Sequence, residues 1–356
     1  MTFIIGWKRN NVGYICADSA ITGAADYASH GYTTFGELND LSKHHSVQES
    51  ALKIVRLDNI AIAYTGYVEP AMSCIRAIKN NFDNGYEASV SFEKSVNSHI
   101  PLRKGAEYTL IAVCSESSHV KLLTFNLEGD QKIIEHEDVI VAAGSMPYAN
   151  ANLVVNQIGI IISIYHNNPQ DLLATALSVL QNIGIHEYLM KSGVGGVFSG
   201  IYADNEKVYH QPSIMYFIVN NEKVVDMVLT GIYNKALATY STLNNLNKIF
   251  SDNVTADSEH LRKSDIREKI GIAHEAGRFD YVVLLGQRHN SVVVIEMRQS
   301  LEVRSFTIAP QKHEDGHLQI NVLPSQQAVD YVQGKKKIDR NNILGTYIYF
   351  FEYGPK

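Results

Sequence analysis

The amino-acid sequence predicts an α+β fold, in which antiparallel strands combine with separate helices. Short apolar segments occur in pairs joined by polar turns, in residues 2–17 and again in residues 51–66. Segments with the apolar spacing of helices follow these pairs, at residues 68–82, 148–165 and 170–184. With 356 residues, the chain is long enough to bury a large core.

The first pair is a hairpin at the start of the chain. Residues 2–7 form an apolar strand, residues 8–11 a polar turn, and residues 12–17 a second strand that ends at Asp18-Ser19.

The second pair is formed by residues 51–57 and 60–66, with Asp58-Asn59 as the turn. A helix follows over residues 68–82. Further along, residues 139–144 predict a strand that ends in a Gly-Ser turn, before the two antiparallel helices. A glycine-rich strand, residues 193–202, comes next.

The last third of the chain contains no motif and no internal repeat. Leu246, Ile249 and Phe250 share one helical face, so helices are predicted within residues 244–274. Strands are predicted further on, at residues 279–286, 291–297, 301–308 and 342–352. We expect one domain in residues 1–235, with an insert at about residues 20–50, and an extension of unknown role in residues 236–356. No Pro/Gly/Ser-rich linker separates the two.

Composition and charge exclude several classes of function. The net charge of −6 and the lack of a basic cluster argue against nucleic acid as a partner, and the run at residues 335–337 is read as a solvated loop. No stretch reaches eighteen apolar residues, and the polar turn at residue 8 comes too early for a signal peptide. We therefore expect no membrane partner and a cytoplasmic location.

The cysteines and histidines do not form a metal site in the sequence. The three cysteines lack a pairing or metal spacing and are expected to be small buried residues: Cys16, Cys74 and Cys114. The histidine groups at residues 44–45 and 313–317 read as surface loops, because neither places paired ligands on one helix face. No metal and no cofactor are predicted.

Four motifs in the correct order resemble the proteasome β-subunit family of N-terminal nucleophile (Ntn) hydrolases, in its bacterial proteasome-related branch. They are Thr2 with the Asp18 strand end, the Lys53 strand start with Gly66, the Gly-Ser turn at Ser145, and the Gly-Gly strand. The resemblance covers about residues 2–230. It implies a four-layer αββα sandwich, to which the carboxyl-terminal α/β extension is added. It also implies a homo-oligomer that acts on a peptide or protein substrate.

Thr2 is the centre of the predicted chemistry. Removal of Met1 would leave a terminal threonine, whose hydroxyl can attack a carbonyl carbon and whose α-amine can accept the proton. The reference pKa of that amine, about 7.7–8.0, suits a base near neutral pH.

The resemblance assigns roles to four further residues. Lys53 is expected to act as a fixed positive charge that lowers the pKa of the amine, and Asp18 to hold that ammonium in place. Gly66 is expected to donate its backbone N–H to the oxyanion. Ser145 is expected to hydrogen-bond to the terminal amine. The predicted activity is hydrolysis of an amide bond by a threonine-type peptidase.

Three positions depart from the family pattern. Lys191 and Val194 stand where an Asp and a Ser are usual, although residues 192–196 also fit a Ser-Val-Gly variant of the bacterial relatives. Met146 replaces a glycine and is expected to narrow the site. Two alternatives therefore stay open: a non-catalytic subunit that keeps the fold for binding or assembly, and an amide-bond-transferring, ligase-like enzyme.

Overall fold

The computed structural model describes most of the chain in fourteen segments. These are residues 2–24, 32–37, 45–99, 107–127, 131–164, 168–220, 223–233, 236–242, 246–251, 279–286, 291–297, 306–312, 318–324 and 345–352. Within them the chain forms four α-helices and five sheets, in agreement with the predicted mixture of helices and sheets.

The helices are α1 (Val68–Asp83), α2 (Ala88–His99), α3 (Tyr148–Ile164) and α4 (Pro169–His186). The strands are β1 (Phe3–Arg9), β2 (Val12–Ala17), β3 (Ala20–Ala24), β4 (His45–Glu49), β5 (Ile54–Leu57), β6 (Ile60–Gly66), β7 (Tyr108–Ser115), β8 (Val120–Asn126), β9 (Ile133–His136), β10 (Ile140–Gly144), β11 (Ser199–Ala203), β12 (Val208–His210), β13 (Ile214–Asn220), β14 (Lys223–Tyr233), β15 (Ala236–Ser241), β16 (Leu246–Phe250), β17 (Tyr281–Gly286), β18 (Ser291–Met297), β19 (Phe306–Lys312), β20 (Leu318–Pro324) and β21 (Gly345–Glu352).

The first five-stranded sheet has the order β10-β1-β2-β11-β12 and is built on the predicted amino-terminal hairpin. Asn10 and Asn11 both have positive φ, 49° and 59°, as a two-residue type I′ turn requires. The antiparallel register pairs Phe3 with Gly144 and Ser199 with Ala17. The starts of β1 and β11 and the ends of β2 and β10 therefore meet at one end of this sheet.

The second five-stranded sheet has the order β5-β6-β7-β8-β9, with α1 and α2 packed on it. The two five-stranded sheets share a buried cluster in which Ile4 and Ile15 of the first meet Ile111, Val113 and Leu122 of the second. The sequence predicted β5, β6 and α1, whereas it gave no assignment to β7, β8 and α2.

The helices α3 and α4 pack between the first sheet and a seven-stranded sheet. One apolar cluster contains Ile5 of β1, Ile158 of α3, Leu177 of α4 and Val294 of β18. Apolar surface on both sides explains why every residue of α4 from Leu172 to Gly184 is buried.

The seven-stranded sheet has the order β16-β15-β14-β13-β17-β18-β21, in which β13 and β17 are parallel. It contains strands on both sides of residue 235, so the division of the chain at that residue stays a prediction. The β17–β18 hairpin agrees with the sequence, and β19 and β21 overlap the two other predicted strands.

The prediction of helices within residues 244–274 is wrong for residues 246–250, which the structure describes. Residues 246–250 form β16, and Leu246 and Phe250 pair with Ser241 and Leu237 of β15. The spacing of the apolar residues fits either structure, and pairing with β15 decides between them. Residues 252–278 lie outside the described part of the chain, as do the histidine loop at 313–317, His44 and the run at 335–337.

The three cysteines are free and buried, as predicted. Among the described helices, none is long and apolar enough to cross a membrane. Within the same residues, no group of three or more His, Cys, Asp or Glu side chains is arranged to hold a metal ion.

Candidate active site

Two hydrogen bonds join Thr2 and Ser145, and each residue donates one of them. The backbone N–H of Thr2 donates to Ser145 Oγ at 3.0 Å, and the backbone N–H of Ser145 donates to the Thr2 carbonyl at 2.8 Å. Gly144 permits this approach, because a Cβ on it would lie 1.9 Å from the Thr2 carbonyl oxygen and its φ is +124°. The predicted contact between Ser145 and the nitrogen of Thr2 is therefore present, although that nitrogen belongs to a peptide bond until Met1 is removed.

The buried carboxylate of Asp18 accepts four hydrogen bonds. Oδ1 accepts from the backbone N–H of Phe3 at 2.9 Å and from Lys53 Nζ at 2.6 Å. Oδ2 accepts from the backbone N–H groups of Ala20 at 3.2 Å and Gly195 at 3.0 Å. Asp18 thus connects the residue after Thr2, the predicted lysine and the glycine-rich turn.

The ammonium of Lys53 is almost completely withdrawn from water, with its side chain 2% exposed. Burial lowers the pKa of Lys53 below its ordinary value, and the adjacent Asp18 carboxylate opposes that shift. The backbone carbonyl of Lys53 accepts from Tyr64, which fixes its position next to β6. The structure therefore pairs Asp18 with Lys53, as the resemblance implies.

Gly66 ends β6 with a φ of +96°, a conformation that other residues rarely adopt. A Cβ at this position would lie 2.3 Å from the carbonyl oxygen of Glu107, so a side chain would force the two strands apart. This position requires glycine for two independent reasons.

A cleft of about 790 Å³ opens beside these residues, within the size range of ligand sites. Gly66, Gly144 and Ser145 line it, whereas Thr2 is buried behind Ser145. The complete lining is Thr22, Thr65, Gly66, Tyr67, Val68, Glu107, Tyr108, Thr109, Asn126, Ala142, Ala143, Gly144 and Ser145.

The hydrogen bonds described for Thr2 and Asp18 come from other residues than the three positions that depart from the family pattern. Val194 is buried in the apolar core, and Lys191 Nζ lies over the ring of Tyr188 at 5.3 Å. Met146 packs into the same core cluster as Val194 and does not line the cleft, so the expected narrowing is not seen. The polar contact to Asp18 comes instead from the backbone N–H of Gly195.

Sequence reasoning missed a second buried carboxylate, Glu49, which lies against the other side of the glycine-rich turn. Its Oε1 accepts from the backbone N–H of Val197 at 2.6 Å, and its Oε2 accepts from Lys248 Nζ at 2.8 Å. One signal was available: in β4 a period of two places Glu49 on the same face as the apolar Val47. That pattern indicates a buried acid, although it does not identify the partner.

The sequence matches no protein-family model and no curated protein. Among solved structures, the chain is similar to eukaryotic HslV from Trypanosoma brucei, with 15% identity and a TM-score of 0.39 over 57% of this chain and 99% of that one. It is also similar to an Anbu mutant from Hyphomicrobium sp. strain MC1, with 11% identity and a TM-score of 0.42 over 59% and 85% of the two chains. Both TM-scores are below 0.5, so neither similarity assigns a function to this chain.

Proposed function

We propose that the protein is an N-terminal threonine amide hydrolase, a threonine-type peptidase that becomes active when Met1 is removed. The observation that carries this proposal is one continuous set of contacts. Ser145 binds the nitrogen of Thr2, the next residue binds Asp18, and Asp18 binds Lys53. The set lies at the edge of a cleft that is lined by Ser145 and Gly66.

In the proposed reaction, Thr2 Oγ1 attacks the carbonyl carbon of the substrate amide and its proton passes to the terminal amine. The backbone N–H of Gly66 stabilises the oxyanion, and the positive charge of Lys53 favours the developing alkoxide. The amine then delivers the proton to the leaving nitrogen, and the C–N bond breaks. Water hydrolyses the resulting ester on Thr2 and restores the hydroxyl.

The test is covalent labelling of Thr2 by an epoxyketone or a β-lactone, read by intact mass. The intact mass also reports whether Met1 has been removed. We expect Thr2→Ala to abolish labelling and peptide turnover. The matched control is Thr22→Ala, which removes a different threonine of the cleft and should keep the label.

Full activity in the Thr2→Ala variant would refute the mechanism. A wild-type protein that lacks Met1 and takes no label would favour the non-catalytic alternative. The observation behind this alternative is that Val194 packs in the apolar core and Lys191 Nζ lies over the ring of Tyr188. Product analysis with an added amine distinguishes hydrolysis from amide transfer.

We also propose that residues 1–235 form the four-layer αββα sandwich, and that residues 236–356 are an extension added to it. The contacts of α1 and α2 with the second five-stranded sheet, of that sheet with the first, and of the first with α3 and α4 support this arrangement. In this proposal the seven-stranded sheet forms a further layer over α4, and it combines β13 and β14 of residues 1–235 with strands of the extension.

We also propose that the protein forms a homo-oligomer in the cytoplasm. The resemblance places ring contacts near α3, but Val154, Ile158 and Ile161 of that helix are buried within the monomer. Light scattering at micromolar concentration tests the proposal. A mass near 39.7 kDa at every concentration would contradict it, and the seven-stranded sheet would then cover the surface used by the partner subunit.

A further inference from the structure

The carboxylate of Glu49 is the centre of a buried polar cluster that joins four separate parts of the chain. We name this set of residues the Glu49 cluster: Ser19, Thr34, Glu49, Val197 and Lys248. The Glu49 side chain has no exposed surface, and all five of its donors lie within the cluster. A buried carboxylate with this many donors is held in one position, because moving it would leave several donors without an acceptor.

Each oxygen of Glu49 has its own partners. Oε1 accepts from the backbone N–H of Val197 at 2.6 Å and from Ser19 Oγ at 3.4 Å. Oε2 accepts from the backbone N–H of Thr34 at 2.7 Å, from Thr34 Oγ1 at 2.8 Å and from Lys248 Nζ at 2.8 Å. The first oxygen therefore faces the glycine-rich turn, and the second faces the insert and the seven-stranded sheet.

The glycine-rich turn needs external support because its backbone is unusual. Gly195 and Gly196 have φ values of +133° and +71°, and a Cβ on Gly196 would lie 2.7 Å from Glu49 Cγ. The turn is fixed on its other side by Gln181 of α4, which accepts from the Phe198 N–H at 3.1 Å and donates to the Gly196 carbonyl at 2.9 Å. Glu49 and Gln181 thus hold the turn between them.

The turn in turn contacts the candidate active site. The backbone N–H of Gly195 donates to Asp18 Oδ2, and the carbonyl of Gly195 accepts from the backbone N–H of Ser19 at 3.2 Å. Only Gly196 separates Gly195 from Val197, so a shift of the Val197 N–H moves the donor that orients Asp18. Asp18 itself contacts Lys53 and the residue after Thr2.

We propose that Glu49 is a positioning residue for the threonine site, and that Lys248 of the seven-stranded sheet holds the Glu49 carboxylate in place through their 2.8 Å contact. The inference rests on the proposed function, because it assigns the support of the same site. It gives the carboxyl-terminal part of the chain a role in turnover: β16 delivers the lysine, and Thr239 of β15 contacts Thr34 at 3.2 Å.

The experiment compares Lys248→Met with Lys8→Met in the full chain. Lys8 is a matched control because it too pairs with a glutamate, at a distance of 2.6 Å. Lys8 lies on a strand of the first sheet, away from Thr2. In Lys248→Met we expect the maximal rate of Thr2 labelling to fall about tenfold, with the half-saturating concentration of the electrophile within about twofold of wild type. Lys248→Arg should restore the rate, and Lys8→Met should leave both parameters unchanged.

Hydrogen exchange followed by mass spectrometry provides a readout that does not need chemistry at Thr2. Protection of the segment at residues 193–198 should fall about tenfold in Lys248→Met and in Glu49→Gln, while β7 keeps its protection. An equal loss in both segments would show a general loss of stability and overturn the proposal. Wild-type protection of residues 193–198 in a folded Lys248→Met variant would also overturn it.

The two proposals fail in different ways. If the processed wild-type protein takes no label, the proposed function fails, and hydrogen exchange alone decides whether Glu49 positions the turn. If wild type is labelled and Lys248→Met is labelled at the same rate, the proposed function stands and the positioning role is wrong.

Discussion

Two carboxylate–lysine pairs contact the glycine-rich turn, and they differ in their positions along the chain and in exposure. Asp18 with Lys53 forms the inner pair, and Glu49 with Lys248 forms the outer pair. Each carboxylate accepts a backbone N–H of the turn, from Gly195 and Val197 respectively. Lys53 is 2% exposed and Lys248 is 21% exposed, so only the outer lysine keeps contact with water.

The difference in exposure shows that the free-energy cost of burying charge is larger at the inner pair than at the outer pair. An ion pair withdrawn from water is costly unless hydrogen bonds satisfy its remaining atoms, and removal of one partner leaves an uncompensated charge. Asp18 has three backbone donors besides its lysine, all close to Thr2 or the turn. We infer that the inner pair serves the reaction directly, whereas the outer pair acts through the turn.

The largest effect is expected for Lys53→Met. Thr2 labelling should fall by at least about 10³-fold, because the fixed charge is lost. The free energy of unfolding should fall by about 3–5 kcal/mol, because the buried carboxyl group of Asp18 would lose its ion-pair partner. Denaturant unfolding and labelling measure the two quantities. A loss no greater than that of Lys248→Met would remove the distinction between the pairs.

Asp18→Asn should have the second largest effect. The amide nitrogen cannot accept a hydrogen bond, so one pair of donors would lose its acceptor while the shape is kept. The pair is either the Phe3 N–H with Lys53 Nζ or the N–H groups of Ala20 and Gly195. We expect the labelling rate to fall by about 10²-fold and the free energy of unfolding by about 2 kcal/mol. Labelling at the wild-type rate would show that the charge of Asp18 is unimportant.

The pH dependence of labelling should report the titration of the terminal amine, on which the charge of the inner pair acts. The outer pair should not affect it. With the terminal amine as base, the labelling rate should rise about tenfold per pH unit below the apparent pKa of the amine and reach a limiting value above it. That apparent pKa should lie at or below about 7.7–8.0. Lys248→Met should lower the limiting rate and leave this apparent pKa in place. A flat profile between about pH 5 and 9, or one that follows a carboxylate near 4, would contradict the amine as base.

The pH dependence of the free energy of unfolding should report Glu37, a carboxyl group whose pKa responds to both members of the outer pair. Burial raises the pKa of Glu37 from 4.5 to about 8, and nearby Glu49 adds to the increase, while Thr33, the Gly196 N–H and Lys248 oppose it. Between those two pH values the folded state keeps a proton that the unfolded state releases, so the free energy of unfolding falls as the pH rises.

We expect this loss to be about 2 kcal/mol, less than the full shift would give because the side chain is only partly buried. Glu37→Gln is neutral at every pH and should remove the dependence. Denaturant unfolding at pH 5, 7 and 9 measures it, and a variant with the same slope as wild type would show that another group titrates.

The smallest effect is expected for Lys8→Met, which removes a lysine whose partner, Glu137, is largely exposed. Such pairs contribute less than about 1 kcal/mol, so unfolding should change little and labelling not at all. A loss comparable to that of Lys248→Met would mean that any buried lysine stem stabilises this chain equally.

Local sequence determined several elements of the amino-terminal half of the fold. The two short apolar runs and the Asn10-Asn11 turn specify the first hairpin, and the helical spacing after Gly66 and Ser145 specifies α1 and α3. The residues named for chemistry are brought together as far as their contacts are described: Thr2 with Ser145, and Asp18 with Lys53. Their catalytic roles stay predictions.

The tertiary structure decided what periodicity could not. The segment at residues 246–250 has apolar spacing that fits a helix, and it forms β16 because β15 offers an unpaired strand edge. The uniform burial of α4 follows from the two sheets that cover it.

The sequence alone fixed the short-range pattern of strands, turns and helices, together with the types of residue near Thr2. It did not reveal the Glu49 cluster, because Glu49 and Lys248 are 199 positions apart. Hydrogen bonds within a hairpin or helix depend on neighbours along the chain, so their signal is local. The burial of a carboxylate depends on which distant segments close around it, and only the folded chain determines that.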